Sequence, residues 1–147
     1  MSRNLFFYNE IKLKDTFETR IYLTFFHFSV ILTVFKNKNI SFSQDNYDNF
    51  FHSIENDLRE LGLGDVGVNK KMKDMNKIFY DILLKINKSD NVFEINKELV
   101  FKYFEYLKNS NSVKYKLFAQ YFTKFYDFCF ELNPETVIKD AINFKVK

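Results

Sequence analysis

The sequence contains few residues that end helices and few that form covalent cross-links. Three glycines and one proline occur among 147 residues, and so few breakers favour long helices over a turn-rich β architecture. The single cysteine, Cys129, can form neither an internal disulfide nor a cysteine metal cluster, which favours a reducing compartment. Charged side chains at Arg3, Glu10 and Lys12 precede the first long apolar run, so we expect no secretory signal.

Long uninterrupted apolar stretches are also missing. Residues 21–35 carry no formal charge, but a membrane-spanning helix needs about 20 apolar residues. This run is shorter and contains polar side chains at Thr24, His27, Ser29 and Thr33. We therefore interpret it as a helix buried in a protein core, with membrane insertion as the weaker alternative.

Apolar and aromatic residues are abundant. Hydrophobic residues make up 46% of the chain and charged residues 28%. This composition is typical of a globular protein, and the length fits one domain over residues 1–147. The 20 Phe, the 9 Tyr and the dominance of Lys over Arg are what AT-rich codons supply. The three arginines, Arg3, Arg20 and Arg59, are exceptions that the need for a planar bidentate fork would explain.

Hydrophobic periodicity predicts an all-α, single-domain bundle of about five to six helices. Helix one is expected to begin with a capping box in which Asp15 is the N-cap, and helix two follows Ser43 as its N-cap. Asn133 and Pro134 stop helix five. The predicted helices cover residues 16–35, 44–61, 68–87, 95–108 and 113–132, followed by a short terminal helix over 135–144.

All three glycines lie in one six-residue segment between helices two and three. Residues 62–67 match the letters GxGxxG, but a dinucleotide site of that type needs a preceding strand, and here a helix precedes. A phosphate-binding P-loop is excluded, because Val68 and Asn69 stand where Lys and Ser or Thr are required. We interpret the segment as a tight turn in which the first glycine ends helix two, the second turns the backbone and Asp65 caps helix three.

Opposite charges flank this turn, because helix two is acidic and helix three is basic on its polar side. The acidic set is Asp45, Asp48, Glu55, Asp57 and Glu60, and the basic set is Lys70, Lys71, Lys73, Lys77, Lys85 and Lys88. Two interpretations stay open. Either the two faces are solvated and pair weakly across the hairpin, or they form a polar docking surface around the turn.

The turn and its flanks resemble a known family. Residues 57–72 read DLRELGLGDVGVNKKM, which is similar to the signature D-L-R-E-x-G-x-G-D-x-x-V-x-K of the ubiquinol–cytochrome c chaperone family. The upstream residues that follow the family's opening in order are Ser2, Arg3, Asn4, Tyr8, Asp15, Thr16, Arg20, Phe26 and His27. The resemblance covers about residues 2–88, and all three arginines fall on family positions.

The resemblance implies a non-enzymatic assembly factor, working without a cofactor, that binds newly made cytochrome b and assists assembly of the cytochrome bc1 complex. Its partner would be the apolar helices of cytochrome b or a bc1 subassembly, with peripheral contact to the inner membrane. Mitochondrial relatives also act with a small partner protein and at ribosomes. Those relatives carry a targeting extension, whereas this chain starts almost at the domain, so we expect a bacterial form at the cytoplasmic face of the inner membrane.

Ten residues form the predicted partner-binding site, and they belong to the matched motif or to its upstream arginine. They are Arg20, Asp57, Arg59, Glu60, Gly62, Gly64, Asp65, Gly67, Lys70 and Lys71. The alternative function is a small-ligand or anion site made by the amides at the start of helix three together with its first two lysines. DNA binding is not expected, because helix three lacks aromatic residues interleaved with its lysines, and the net charge of +3 is mild.

Residue types that perform catalysis are few. His27 lies in apolar helix one and is predicted to be a hydrogen-bonded core residue, while His52 lies on the polar face of helix two. Cys129 lacks the basic surroundings that activate a thiolate. Two histidines in separate helices, without a cysteine or carboxylate cluster, give only a weak case for a metal site. We therefore predict a protein that is not an enzyme.

Helix five carries more aromatic side chains than one buried face can use. They are Tyr115, Phe118, Tyr121, Phe122, Phe125, Tyr126, Phe128 and Phe130. Most are expected to pack in the core. The aromatic side chains of helix five that do not pack in the core are predicted to line a groove beside the polar surface of the glycine turn. That groove would receive an apolar helix of the client.

Overall fold

A computed structural model describes residues 5–88, 92–109, 112–141 and 143–144. Predictions that concern Arg3 lie outside these residues. The chain opens with a π-helical segment, and seven α-helices follow within the described residues. In chain order they are the π-helical segment Phe6–Glu10, α1 Phe17–Asn37, α2 Gln44–Glu60, α3 Asp65–Lys85, α4 Lys97–Tyr103, α5 Glu105–Asn109, α6 Ser112–Glu131 and α7 Val137–Ala141.

The all-α prediction is confirmed, and α1 is the central helix. It is apolar on nearly every face, and twelve of its residues are buried, so it packs against both α3 and α6. Its predicted cap is wrong. The N-cap is Thr16, whose side chain accepts a hydrogen bond from the Thr19 amide at 3.1 Å, whereas Asp15 lies one residue outside the helix.

α2 and α3 form a hairpin around the glycine turn. Ser43 caps α2 as predicted, its side chain accepting from the Asn46 amide. α3 begins at Asp65, three residues earlier than predicted, because the extended backbone of Gly64 (φ −72°, ψ 171°) already makes it the N-cap. The prediction that Asp65 caps the helix is therefore wrong, and Gly67 lies inside the first turn of α3 rather than before it.

The predicted fourth helix is divided in two. Phe104, at φ −126° and ψ 67°, ends α4, and α5 begins at the next residue. Its buried ring lies 5.1 Å from the ring of Phe118 and 5.2 Å from that of Phe26. The sequence offered no glycine or proline at this point, so the break follows from burial of this side chain rather than from a local breaker.

One continuous hydrophobic core runs from the π-helical segment to α7. Ring contacts between phenylalanines of α1, α2, α3 and α6 dominate it, such as the stacked pair Phe28 and Phe50 at 3.9 Å. The single-domain organisation stays a prediction. Among the described residues, no helix combines the length and the apolar character that crossing a bilayer requires.

Candidate functional site

The glycine turn is exposed at the end of the α2–α3 hairpin. The Gly62 amide donates to the Arg59 carbonyl at 3.0 Å, and the Val68 amide donates to the Gly64 carbonyl at 2.9 Å. Backbone hydrogen bonds therefore complete the last turn of α2 before Leu63 and the first turn of α3 after it. Gly62, Gly64 and Asp65 are all solvent-exposed, so the turn is available to a binding partner.

The three glycines differ in what the fold requires of them. Gly62 has φ +90°, a left-handed conformation in which a side chain is strained, so a glycine is needed to end α2. A Cβ added to Gly64 would meet no atom within 4 Å, and one added to Gly67 would lie in ordinary contact, 3.7 Å from the Leu63 Cβ. The fold therefore requires only the first glycine. Gly64 leaves an open surface at the start of α3, whereas the Leu63 side chain lies next to Gly67.

Arg59 joins the two helices across the turn. One guanidinium nitrogen donates to Glu55 of α2 at 2.8 Å and the other donates to Asp65 of α3 at 2.5 Å. These hydrogen bonds, with Glu55 and then Asp65, raise the pKa of Arg59. Because the pair is exposed, it contributes little to stability and fixes the geometry of the turn instead. The rarity of arginine in the sequence suggests that these residues are needed for their planar guanidinium group. Here that group of Arg59 binds two carboxylates at once.

Arg20 lies on the opposite side of α2 from Arg59. It lines a depression of about 310 Å³ together with Asp57 and Glu60, whose spacing of three places them on one face of α2. Arg59, two residues from Asp57, points to the other face. The predicted site residues therefore form two groups. Arg20, Asp57 and Glu60 lie around the depression, and Arg59 with Asp65 lies across the turn.

The lysines of α3 do not pair with the acids of α2. Within the described parts of the chain, the ion pair that joins the two helices is Arg59 with Asp65, in which α2 supplies the cation. Lys70 is exposed and Lys71 is half-buried, and one residue separates their directions by about 100°. The interpretation of two faces neutralising each other across the hairpin is wrong.

Three apolar side chains at the turn were missed by the sequence analysis. Leu61, Leu63 and Val66 are exposed by 59%, 40% and 84%. Their neighbours Asp57, Glu60 and Asp65 of the predicted site are charged. The turn therefore offers apolar contact area ringed by charge, which is the usual composition of a protein-binding patch. Their position, next to glycines at a helix end, is the signal that could have revealed them.

The aromatic side chains of α6 are mostly core residues, as predicted. Phe118, Tyr121, Phe122 and Phe125 are buried. A groove of about 640 Å³ remains on the outer part of the helix, lined by Asn37, Val92, Phe93, Thr123, Tyr126, Asp127, Phe130 and Glu131. The rings of Phe93 and Tyr126 stack at 4.8 Å along it.

This aromatic groove does not adjoin the turn. It includes Asn37 at the end of α1, whereas the depression beside the turn includes Phe17 and Arg20 at its start. Seventeen helical residues separate Arg20 from Asn37, which amounts to about 25 Å. The expectation that one client-binding groove lies beside the polar turn is therefore wrong, and the apolar surface next to the turn is the one formed by Leu61, Leu63 and Val66.

Two of the three candidate reactive side chains, His27 and Cys129, lie in the core. His27 is fully buried, and loss of hydration lowers its pKa to about 3. Burial raises the pKa of the Cys129 thiol to about 12, which opposes formation of a thiolate. His52 is exposed on α2, as predicted. Over the described residues, no group of three or more His, Cys, Asp or Glu side chains is placed to hold a metal ion.

Comparison with known proteins gives one family match. Neither the curated proteins nor the solved structures yield a significant similarity. The family model for the ubiquinol-cytochrome C chaperone matches residues 9–95, more than half of the 147 residues. The matched region contains α1, the α2–α3 hairpin and the glycine turn with its two groups of charged residues. The chain belongs to the ubiquinol-cytochrome C chaperone family.

Proposed function

We propose that this protein is a non-enzymatic assembly chaperone that binds newly made cytochrome b and assists assembly of the cytochrome bc1 complex. Family membership indicates a chaperone role in the assembly of ubiquinol-cytochrome c reductase. The observation that carries the proposal is that the family match includes the whole of the exposed glycine turn. The identity of the client as cytochrome b is the more specific part of the proposal, and affinity purification tests it.

The composition of the turn supports binding of an apolar client helix. Leu61, Leu63 and Val66 give exposed apolar area, and no atom lies within 4 Å of the position that a Cβ of Gly64 would take. Small residues let a second backbone approach closely, which is how helices of membrane proteins pack. Arg59 and Asp65, fixed against each other, give the client a polar edge that sets its orientation.

The proposed action is reversible shielding without a covalent step. The apolar helices of an unassembled membrane protein aggregate when exposed to water, and a chaperone lowers that risk by covering part of their surface. The buried positions of His27 and Cys129 are consistent with this role. Because the client is itself a membrane protein, we place this binding at a membrane surface, and the cytoplasmic face of the inner membrane stays a prediction.

The alternative of an anion site at the start of α3 receives weaker support. Because Gly64 has no side chain, no capping side chain accepts a hydrogen bond from the first backbone amides of α3. However, the carboxylate of Asp65 already supplies negative charge at this helix end. Saturable heat on titration with inorganic phosphate, lost in Lys70→Ala, would favour this alternative over the chaperone.

The experiment that tests the function is affinity purification from the native membranes with matched variants. The wild-type chain is expected to retain cytochrome b, detected by immunoblot and by its haem absorbance. Arg59→Ala and Asp65→Ala are expected to retain severalfold less, because the oriented polar edge is lost. Both variants should melt close to the wild type, since exposed ion pairs contribute little. The control is Lys116→Ala on the exposed surface of α6.

Three outcomes would contradict the proposal. Intact bc1 complex in a strain lacking the gene would exclude the assembly role. Equal recovery of cytochrome b with all variants would exclude the turn as the binding surface. Unfolding of both Arg59→Ala and Asp65→Ala would assign the motif a purely structural role.

Gly67→Ala separates folding from binding. The substitution is expected to raise the free energy of unfolding by about 0.5–1 kcal/mol, because alanine is favoured over glycine within a helix. The added methyl group would lie against the exposed Leu63 side chain and change the apolar surface offered to the client, so recovery of cytochrome b should fall. Denaturant unfolding and affinity purification measure the two effects. Gly62→Ala is the matched contrast, since its φ of +90° predicts a loss of stability, and a destabilised Gly67→Ala would overturn this assignment.

A further inference from the structure

A stripe of six residues on α3 faces solvent, and of these Tyr80 also contacts α2, because its hydroxyl lies 3.1 Å from that of Tyr47. The stripe consists of Val66, Lys70, Lys73, Lys77, Tyr80 and Leu84, and all six side chains are exposed. Their spacing is four, three, four, three and four residues, which keeps them within about 40° of one line along the helix. The buried residues of α3, such as Val68, Met75, Phe79 and Ile82, lie on the opposite side.

Apolar side chains stand at both ends of the stripe. Val66 is exposed by 84%, Tyr80 by 50% and Leu84 by 80%. Single exposed apolar residues are ordinary on protein surfaces. Tyr80 is partly explained by its hydrogen bond to Tyr47. Val66 and Leu84, at the two ends of a line that carries three lysines, are not explained by packing among the described residues, because the core lies on the other side of α3.

The stripe carries three lysines in its middle. Among the described residues, none of Lys70, Lys73 and Lys77 takes part in an ion pair. The acidic neighbour closest to the line, Asp81, is already engaged by Lys85 at 2.6 Å and Lys102 at 2.7 Å. Asp74 lies beside the row, four residues after Lys70 and three before Lys77, but among the described residues it forms no ion pair with them. The central part of the stripe therefore carries three positive charges next to one negative charge.

We propose that the α3 stripe binds an acidic amphipathic helix of a partner protein. The spacings average 3.6 residues, the repeat of a straight α-helix, so the six side chains form one face along which a second helix can lie. The three lysines would be complemented by carboxylates at the middle of the partner helix. Val66, Tyr80 and Leu84 would be complemented by apolar residues near its ends. From Val66 to Leu84 the contact extends for about 27 Å, or five helical turns.

A protein helix fits the stripe better than a bilayer does. An interfacial helix presents a continuous apolar face to the lipid and keeps its lysines on the other side. Here the lysines occupy the same line as the apolar residues and interrupt it. The proposal goes beyond the proposed function, because it concerns a second partner on a surface that shares only Val66 with the apolar patch of the turn.

The test uses the full-length protein and two labelled synthetic helical peptides of 21 residues, a length chosen to match α3. The first carries glutamates at the three central facing positions and leucines at the terminal ones. The second has the same composition with the two sets exchanged. Fluorescence anisotropy at low and moderate salt is expected to show saturable binding of the first peptide, at least about tenfold tighter than the second.

Matched triple variants assign the binding to the stripe. Lys70→Glu, Lys73→Glu and Lys77→Glu together are expected to weaken binding by more than about tenfold, as is the corresponding triple change to Gln. Val66→Ser with Leu84→Ser should weaken it severalfold. The control combines Lys116→Glu, Lys124→Glu and Lys139→Glu, which changes the net charge equally at exposed positions on other helices and should leave binding within about twofold.

Several results would overturn the proposal. Equal affinity for the two peptides, or an equal loss in both charge-reversed triple variants, would mean that net charge alone attracts acidic ligands. Binding to vesicles of phosphatidylglycerol that depends on the stripe, without peptide discrimination, would assign the surface to a membrane. A concentration-dependent dimer in sedimentation that is abolished by the stripe variants would assign it to a second copy of this chain.

Discussion

Acidification from pH 7 to pH 4 is expected to remove about 3 kcal/mol of the free energy of unfolding through His27 alone. Its pKa is about 3 in the folded protein and 6.5 in the unfolded chain. Below pH 6.5 the unfolded chain binds a proton that the folded protein does not. Stability is therefore fully present above pH 6.5 and falls by about 1.4 kcal/mol per pH unit down to the folded pKa.

The hydrogen bonds of His27 explain why it stays neutral. Its Nδ1 lies 2.6 Å from the Leu23 carbonyl, which can only accept, so Nδ1 carries the proton. Nε2 then accepts from the Tyr121 hydroxyl at 2.8 Å. The rings of Phe122 and Phe125 lie 4.9 Å from the imidazole. A second proton would place an unsolvated charge in this apolar surround.

The measurement is urea unfolding from pH 7 to pH 4 for the wild type and His27→Gln. Glutamine keeps a donor and an acceptor but does not titrate, so the difference between the two stability curves isolates His27 from the carboxylates. His52→Gln, which changes the exposed histidine on α2, is the matched control and should keep the full acid-dependent loss. Parallel curves for the wild type and His27→Gln would refute the assignment.

Phe104→Ala is expected to cost about 3–5 kcal/mol of stability. Its ring is 4% exposed and meets Phe26 of α1, Phe118 of α6 and, at 6.3 Å, Tyr22. Removing the ring leaves a cavity where α1, α6 and the break between α4 and α5 meet. The cost is of the same order as the whole stability of a small domain, so the variant should be largely unfolded at 37 °C.

Denaturant unfolding at 15 °C with added osmolyte measures this loss, and Phe130→Ala is the matched control. Phe130 is 38% exposed at the edge of the aromatic groove, so the same chemical change there should cost much less. If Phe104→Ala and Phe130→Ala lose similar stability, Phe104 does not hold the break in place. If helicity near α4 and α5 rises in Phe104→Ala, the break is enforced by this side chain, as we argue.

The long helices could be predicted because periodicity and caps agree along them. Each of three features has one dominant local signal. They are the apolar run of α1, the amphipathic periodicity of α2, and Asn133 and Pro134, which end α6. The break at Phe104 could not be predicted, because its cause is contact with α1 and α6, and no nearby residue disfavours a helix. The π-helical segment Phe6–Glu10, whose Phe7 is buried against α6, was missed for the same reason.

The position of the glycine turn could be predicted from the sequence, but the arrangement of the side chains around it could not, and the role of the turn as a site stays a prediction. The motif identified the turn, and the rarity of arginine directed attention to Arg59. Which carboxylates would surround it depended on where α3 begins, and a shift of three residues turned Asp65 from a cap into the partner of Arg59. Arg20 is separated from Arg59 because it lies beside the face of α2 that carries Asp57 and Glu60. Which face of α2 meets α1 is decided by packing, and no local pattern encodes it.

The buried helix α1 keeps two surfaces of the molecule apart. The turn lies near its first residues and the aromatic groove lies at its last, so an occupant of one end does not obstruct the other. Because sites this distant contribute independently to the free energy, simultaneous occupancy needs no rearrangement of the core. A molecule bound at the turn would therefore leave the aromatic groove at the other end of α1 accessible.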